Sequence, residues 1–167
     1  MSREESMSRE KFMNRDIRLE MIYPHAPERV WRALTDSAAM ADWLMPNDFA
    51  PRLGHRFQFR TKPAPGFSGI VDCEVTELMA PKALAFTWKG GGIDTVVRIT
   101  LEAVPEGTRL RLEHTGFQGP RALMVSFIMS SGWKSKILSR RLPASIERLD
   151  DDGYRPFALD GLKGGCA

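Results

Sequence analysis

Apolar positions along the chain change their period twice. Ile17, Leu19, Met21 and Tyr23 alternate with Arg18 and Glu20, which predicts a half-buried strand over 16–23. Pro24 and Pro27 end it, and Pro27 suits the first turn of a helix carrying Val30, Trp31 and Leu34. Asp36 or Ser37 can cap a second short helix with Met40, Trp43 and Leu44. Pro46, Pro51 and Gly54 then mark a loop. Alternation returns with Phe57 and Phe59, then Val71, Cys73 and Val75, then Leu84, Phe86 and Trp88. It continues through Val97, Ile99, Leu101 and Ala103, and ends with Leu110 and Leu112. Turn signals separate these runs at Pro63–Gly66, Pro81-Lys82, Gly90–Gly92 and Glu106-Gly107. Successive strands joined by short turns predict an antiparallel meander with one wet face.

The last element is helical. Between Arg121 and Arg141 the only glycine is Gly132 and there is no proline. Leu123, Met124, Phe127, Ile128, Ile137, Leu138 and Leu142 recur at helical spacing. Pro143 predicts a kink or restart, and Ala144, Ile146 and Leu149 extend the pattern to about Asp150. A helix of about 30 residues is about 45 Å long, enough to cross a sheet. The predicted class is α+β: a curved antiparallel sheet of six to seven strands wrapped on a long C-terminal helix, with two short helices after the first strand. One domain over 16–150 is expected, between a flexible tail at 1–15 and a C-terminal tail at 151–167. The first tail repeats MSRE at Met1 and Met7; the second has Tyr154, Phe157, Leu159 and Leu162 as its apolar positions.

Composition narrows the class. A length of 167 residues suits one domain, and 27% charged residues of both signs do not suit a disordered chain. No run reaches the roughly 18 apolar residues of a membrane span, and the N-terminus lacks a secretory apolar region. Cys73 and Cys166 make neither a disulfide framework nor a metal cluster, so a reducing cytoplasm is the expected compartment. The net charge is +3, but residues 120–149 set Arg121, Lys134, Lys136, Arg140, Arg141 and Arg148 against Glu147 alone. That segment reads first as a solvated helix face; an anionic membrane or an acidic ligand is the alternative, and no nucleic-acid partner is expected. Lys134, Arg141 and Arg148 recur every seven residues and fall within the apolar arc of a regular helical wheel, between Ile137 and Phe127. Snorkelling along the helix edge, or meeting an anionic head group, are their two readings.

PERVWRALTDSAAMADWL at 27–44 resembles the opening of the SRPBCC superfamily of START and birch-allergen-like helix-grip domains. GHRFQF at 54–59, SGIVDCEVTELMAPKALAFTW at 68–88, EGTRLRLEHTGF at 106–117 and the GW pair at 132–133 follow in the order of one family within it. That family comprises homologues of the activator of the 90-kDa heat-shock chaperone's ATPase. The resemblance spans about residues 15–149. It implies a hydrophobic pocket with varied ligands and no fixed catalytic set. Chaperone co-regulation and a stress role are implied by the family name alone.

The histidines His25, His55 and His114 have no metal-ligand spacing, and no metal or cofactor is expected. His114 shares strand parity with Leu110 and Leu112 and points inward. It is either a polar contact or base in an apolar cleft, or a satisfied structural histidine, which is the commoner role. Cys73 also points inward and reads as a small core residue with an inert thiol. Gly90–Gly92 lacks the lysine and following helix of a phosphate loop. Asp72, Glu74, Asp94, Glu102 and Glu113 mostly point outward and suggest no buried acid–base pair.

The leading reading is a non-enzymatic domain that binds a hydrophobic or amphipathic small molecule between sheet and helix. Its expected lining is Trp43, Phe57, Phe59, Val71, Cys73, Phe86, Trp88, Val97, Ile99, Leu112, His114, Phe127, Trp133 and Ile137. Two alternatives stand beside it: a cyclase- or aromatase-like enzyme using His114, and a protein-interaction domain such as a chaperone co-regulator. Monomer and homodimer are both open, since a sheet edge is available for pairing.

Overall fold

The computed structural model describes residues 16–157. β1 (Ile17–Tyr23) is followed by α1 (Pro27–Leu34) and α2 (Ser37–Trp43). Five strands come next: β2 (Arg56–Arg60), β3 (Ile70–Met79), β4 (Ala83–Gly90), β5 (Ile93–Val104) and β6 (Gly107–Thr115). The order across the sheet is β1-β6-β5-β4-β3-β2, and every neighbouring pair is antiparallel. The predicted meander is therefore present, with β1 returning to the far edge beside β6. A register shift between Val75 and Glu77 bulges β3 and helps the sheet curve.

Local chemistry explains the short helices. Pro27 occupies the first turn of α1. Asp36, rather than Ser37, caps α2: its Oδ1 accepts from the Ala39 N–H at 2.9 Å. The Trp43 indole N–H donates to Ala33 O at 2.9 Å and ties α2 to α1.

The C-terminal helix has three parts. An α-helical part, α3 (Gly119–Gly132), passes into a π-helical segment (Trp133–Arg141) and then into α4 (Leu142–Glu147). The Leu142 N–H donates to Ile137 O, five residues back. Pro143 lies in the first turn of α4, so the expected restart is one residue before it. The wider π turn brings Trp133 and Leu138, five residues apart, onto the inner side together; both are buried, as is Leu142. A regular helix would rotate such a pair well apart.

This changes which helix face is apolar. Of the fourteen residues of α3, only Ala122 and Ser126 are buried. Met124, Phe127 and Ile128, expected on the inner face, are 67%, 52% and 69% exposed. Lys134 and Arg141 are also exposed, not within an apolar arc, because the wheel that placed them there assumed one constant period. Arg148 is half-buried, with Nε donating to Arg155 O at 2.7 Å and Nη2 to Pro156 O at 3.1 Å.

Two short strands, β7 (Leu149–Asp150) and β8 (Gly153–Tyr154), form a hairpin after α4. The expected tail boundary at 150 falls inside it. Arg29 Nη2 donates to Leu149 O at 2.9 Å and Arg32 Nη2 to Asp150 O at 2.8 Å. The Tyr154 hydroxyl donates to Asp42 Oδ2 at 2.7 Å, and the Phe157 N–H reaches the same oxygen at 3.0 Å. The strap is thus held by both short helices. The expected N-terminal tail and the last part of the C-terminal one lie outside the described residues.

Gly107 opens β6 with φ of +138°, and a Cβ there would strike Tyr23 O and sit 2.8 Å from His25 N. Backbone strain and steric overlap act together at this position. Gly107→Ala should therefore lower the unfolding free energy by about 2 kcal/mol or more, read from the denaturant midpoint at unchanged slope.

Candidate functional site

The inner face of the sheet carries a file of rings. Phe49 meets Phe57 at 5.2 Å between centroids; Phe57 meets Phe59 at 5.3 Å and Phe86 at 5.6 Å. Phe59 meets Trp88 at 5.6 Å, and Trp88 meets His114 at 5.4 Å and Trp133 at 6.3 Å. Phe117 closes the end, 4.6 Å from His114. Period-two alternation builds most of this file, because alternate residues of β2 and β4 face the same way. Edge-to-face pairs such as Phe49–Phe57 add about 1 kcal/mol each beyond the area they bury.

Three side chains form a polar relay at the helix end of the file. Thr95 Oγ1 donates to Trp88 O at 3.1 Å. With its only proton used there, the hydroxyl accepts from His114 Nε2 at 2.7 Å. The Trp133 indole N–H donates to His114 Nδ1 at 3.3 Å. An indole nitrogen can only donate, so the relay requires neutral His114 with its proton on Nε2. His114 is 0% exposed, and burial pushes its pKa down from 6.5 to about 3. Both ring nitrogens are occupied, and an imidazole held this acidic is a weak base. The relay joins β4, β5 and β6 to the first residue of the π segment. Beside it the Tyr23 hydroxyl donates to Leu138 O at 2.7 Å, so β1 holds the same segment. Burial pushes the Tyr23 phenol well up as well.

The expected lining residues divide into groups. Phe57, Phe59, Val71, Cys73, Phe86, Trp88, Val97, Ile99, Leu112, His114 and Trp133 form one contiguous interior, each at most 5% exposed. In this conformation their own side chains fill the space between sheet and helix. Ile137 packs on its margin, half-buried. Trp43 is fully buried in the same core cluster, its indole N–H tied to Ala33 O of α1. Phe127 lies on the outer side of α3. Cys73 Sγ is 3.8 Å from Val71 O, and burial, then Asp72 and Asp48, push its thiol up and keep it inert. Phe49, Thr95 and Phe117 belong to the site but were not singled out. Thr95 shares parity with Val97 and Ile99, a signal that is present in the sequence.

A concavity of about 600 Å³ lies elsewhere. It opens on the outer side of β2–β4, lined chiefly by Asp48, Arg56, Gln58, Asp72, Glu74 and Lys89. Gln58 binds both Asp48, through its N–H at 2.7 Å, and Asp72, through Nε2 at 2.7 Å. Arg56 lies 3.4 Å from Glu74. Its polar groups thus largely answer one another. Among the described residues no three His, Cys, Asp or Glu side chains group as a metal site, and no helix is long and apolar enough to cross a membrane.

A curved six-stranded sheet closed by a long C-terminal helix, with a helix pair after the first strand, is the helix-grip fold of SRPBCC domains. Within that class, the chain belongs to the family described as Activator of Hsp90 ATPase homolog 1-like protein, which matches residues 24–145. The structure of protein MLL2253 from Mesorhizobium loti is similar at 34% identity and a TM-score of 0.72, covering 81% of this chain and 99% of that one. BH1534 from Bacillus halodurans is 28% identical with a TM-score of 0.66, over 79% of this chain and 97% of its own. The Aha1 dimer from Colwellia psychrerythraea shares the fold at 22% identity and a TM-score of 0.61, over 76% of this chain and 93% of that one. No curated protein gives a significant match.

The His114 assignment has a direct consequence for acid stability. Below pH 6.5 the unfolded chain takes up a proton that the native state refuses until about pH 3. Stability conferred by the neutral ring is full above pH 6.5 and declines as pH falls through that window, by up to about 1.4 kcal/mol per pH unit. His114→Gln should be less stable at pH 7 yet show a shallower decline between pH 6.5 and 4, measured by urea unfolding against the parent.

Proposed function

We propose that this domain binds an apolar small molecule between the sheet and the C-terminal helix, taking it up when α3 lifts. One observation carries the reading. The ring file ends beneath a helix that buries only two of its fourteen residues, so the lid over a large apolar interior is held weakly at that end. The interior is filled at rest, so uptake requires Trp133 or Phe117 to move aside. A departing Trp133 would leave His114 Nδ1 as an acceptor for a ligand hydroxyl or N–H. The file of flat rings favours an aromatic or polycyclic guest over a flexible chain.

Proton transfer by His114 gains no support from this geometry. Its lone pair and its N–H are both engaged, and its basicity is low. Binding without turnover is the reading we adopt, in a cytoplasmic domain that works as a monomer or a homodimer.

Titration with the neutral fluorophore N-phenyl-1-naphthylamine tests the proposal. Saturable uptake of about one probe per chain, quenching tryptophan emission with Kd of roughly 1–10 μM, is expected. Trp133→Phe removes the indole hydrogen bond, makes opening easier by about 1 kcal/mol, and should tighten apparent affinity about fivefold. Failure of the folded parent to take up the probe saturably overturns the reading.

A further inference from the structure

The outer side of the C-terminal helix joins exposed apolar residues to a run of cations. Its α3 half exposes Met124 and Ile128, one helical turn apart. Its π half exposes Lys134, Lys136, Arg140 and Arg141. None of these four cations has an ion pair or side-chain hydrogen bond among the described residues, whereas Arg121, at the start of α3, is committed to Gly66 O at 3.3 Å. Glu147 is the only carboxylate between Gly119 and Arg148. The serines joining the two halves turn inward on the backbone: Ser135 donates to Ser131 O at 2.6 Å, and Ser139 to Lys134 O. The result is one ridge, apolar at one end, cationic at the other and low between them.

We propose that this ridge docks the domain on an anionic lipid surface, with Met124 and Ile128 entering the headgroup boundary and the four cations facing lipid phosphates. Long apolar side chains beside unpaired lysine and arginine are the composition of an interfacial helix. An acidic protein surface would also answer the charge. Protein interfaces, however, favour arginine and are depleted in lysine, and a protein partner would pair each cation at a fixed place. A fluid leaflet needs no such pairing, and each cation near it contributes by charge alone. Nothing in this proposal depends on the interior accepting a ligand.

Flotation of the full chain with phosphatidylcholine vesicles, with and without phosphatidylglycerol, tests it. Binding only to the anionic vesicles is expected, weakening as salt rises from about 0.05 M to about 0.5 M. Lys136→Gln with Arg140→Gln should weaken that binding about 25-fold, at about fivefold per cation. Met124→Gln with Ile128→Gln should weaken it at least about tenfold, by losing inserted apolar area. All four positions are exposed, so these variants should keep the parent's unfolding midpoint. No binding to phosphatidylglycerol vesicles at low salt overturns the proposal. So does binding that the apolar variant leaves unchanged and soluble polyglutamate competes away, which would assign the ridge to an acidic polypeptide.

Discussion

The way this sheet grips its helix turns first on a neutral histidine. His114 is enclosed by rings, takes one hydrogen bond from Trp133 and gives one to Thr95, and has no valence left over. A buried polar group of this kind is costly when unpaired and specifying when fully paired. The same-shaped apolar residue would pack as well but would not choose one rotation of the helix over another. Here the indole N–H must arrive at Nδ1, so the sheet dictates both the depth and the angle at which Trp133 enters. Tyr23 fixes the next turn by the same means, through Leu138 O.

The two sides of the C-terminal helix follow from that constraint. Holding Trp133, Leu138 and Leu142 inward together requires the wider turn, and the wider turn delivers the lysines and arginines of WKSKILSRR to the outside. The preceding α3 is tied near its start by Arg121 to Gly66 O at 3.3 Å, and its apolar residues are shared between inside and outside. The interior and the outer ridge are therefore linked by construction: one segment supplies the ring that closes the relay and the cations that face away from it.

Strands were legible from sequence because a period of two leaves little freedom. Phe57, Phe59, Phe86, Trp88, Leu112 and His114 face inward as parity requires, and the family motifs ordered them into the right fold. The helix was legible in extent but not in orientation. A wheel at constant period cannot represent a change of winding at Gly132, so it turned Met124, Phe127 and Ile128 inward and drew Lys134 and Arg141 toward the apolar side. Trp43 is buried in the same core, and its bond to Ala33 O within the helix pair is a local detail that hydrophobic patterning does not register. Leu149–Phe157 has too few apolar positions to announce a hairpin. Its anchorage comes from arginines in α1 and a carboxylate in α2, more than a hundred residues earlier in the chain.

That strap clamps the C-terminal helix more firmly at one end than at the other. Past α4 the chain is fastened to Arg29, Arg32 and Asp42, and Arg148 lies 4.3 Å from the ring centroid of Phe157 in the same clamp. At the opposite end Gly119 opens α3 with nothing within 4 Å of where a Cβ would stand, and Arg121 ties that end to Gly66 O. Between them the π segment is the fulcrum, fixed to the sheet by two hydrogen bonds. A bend there that lifted α3 would part Arg121 from Gly66 O and leave the bonds of the clamped end in place.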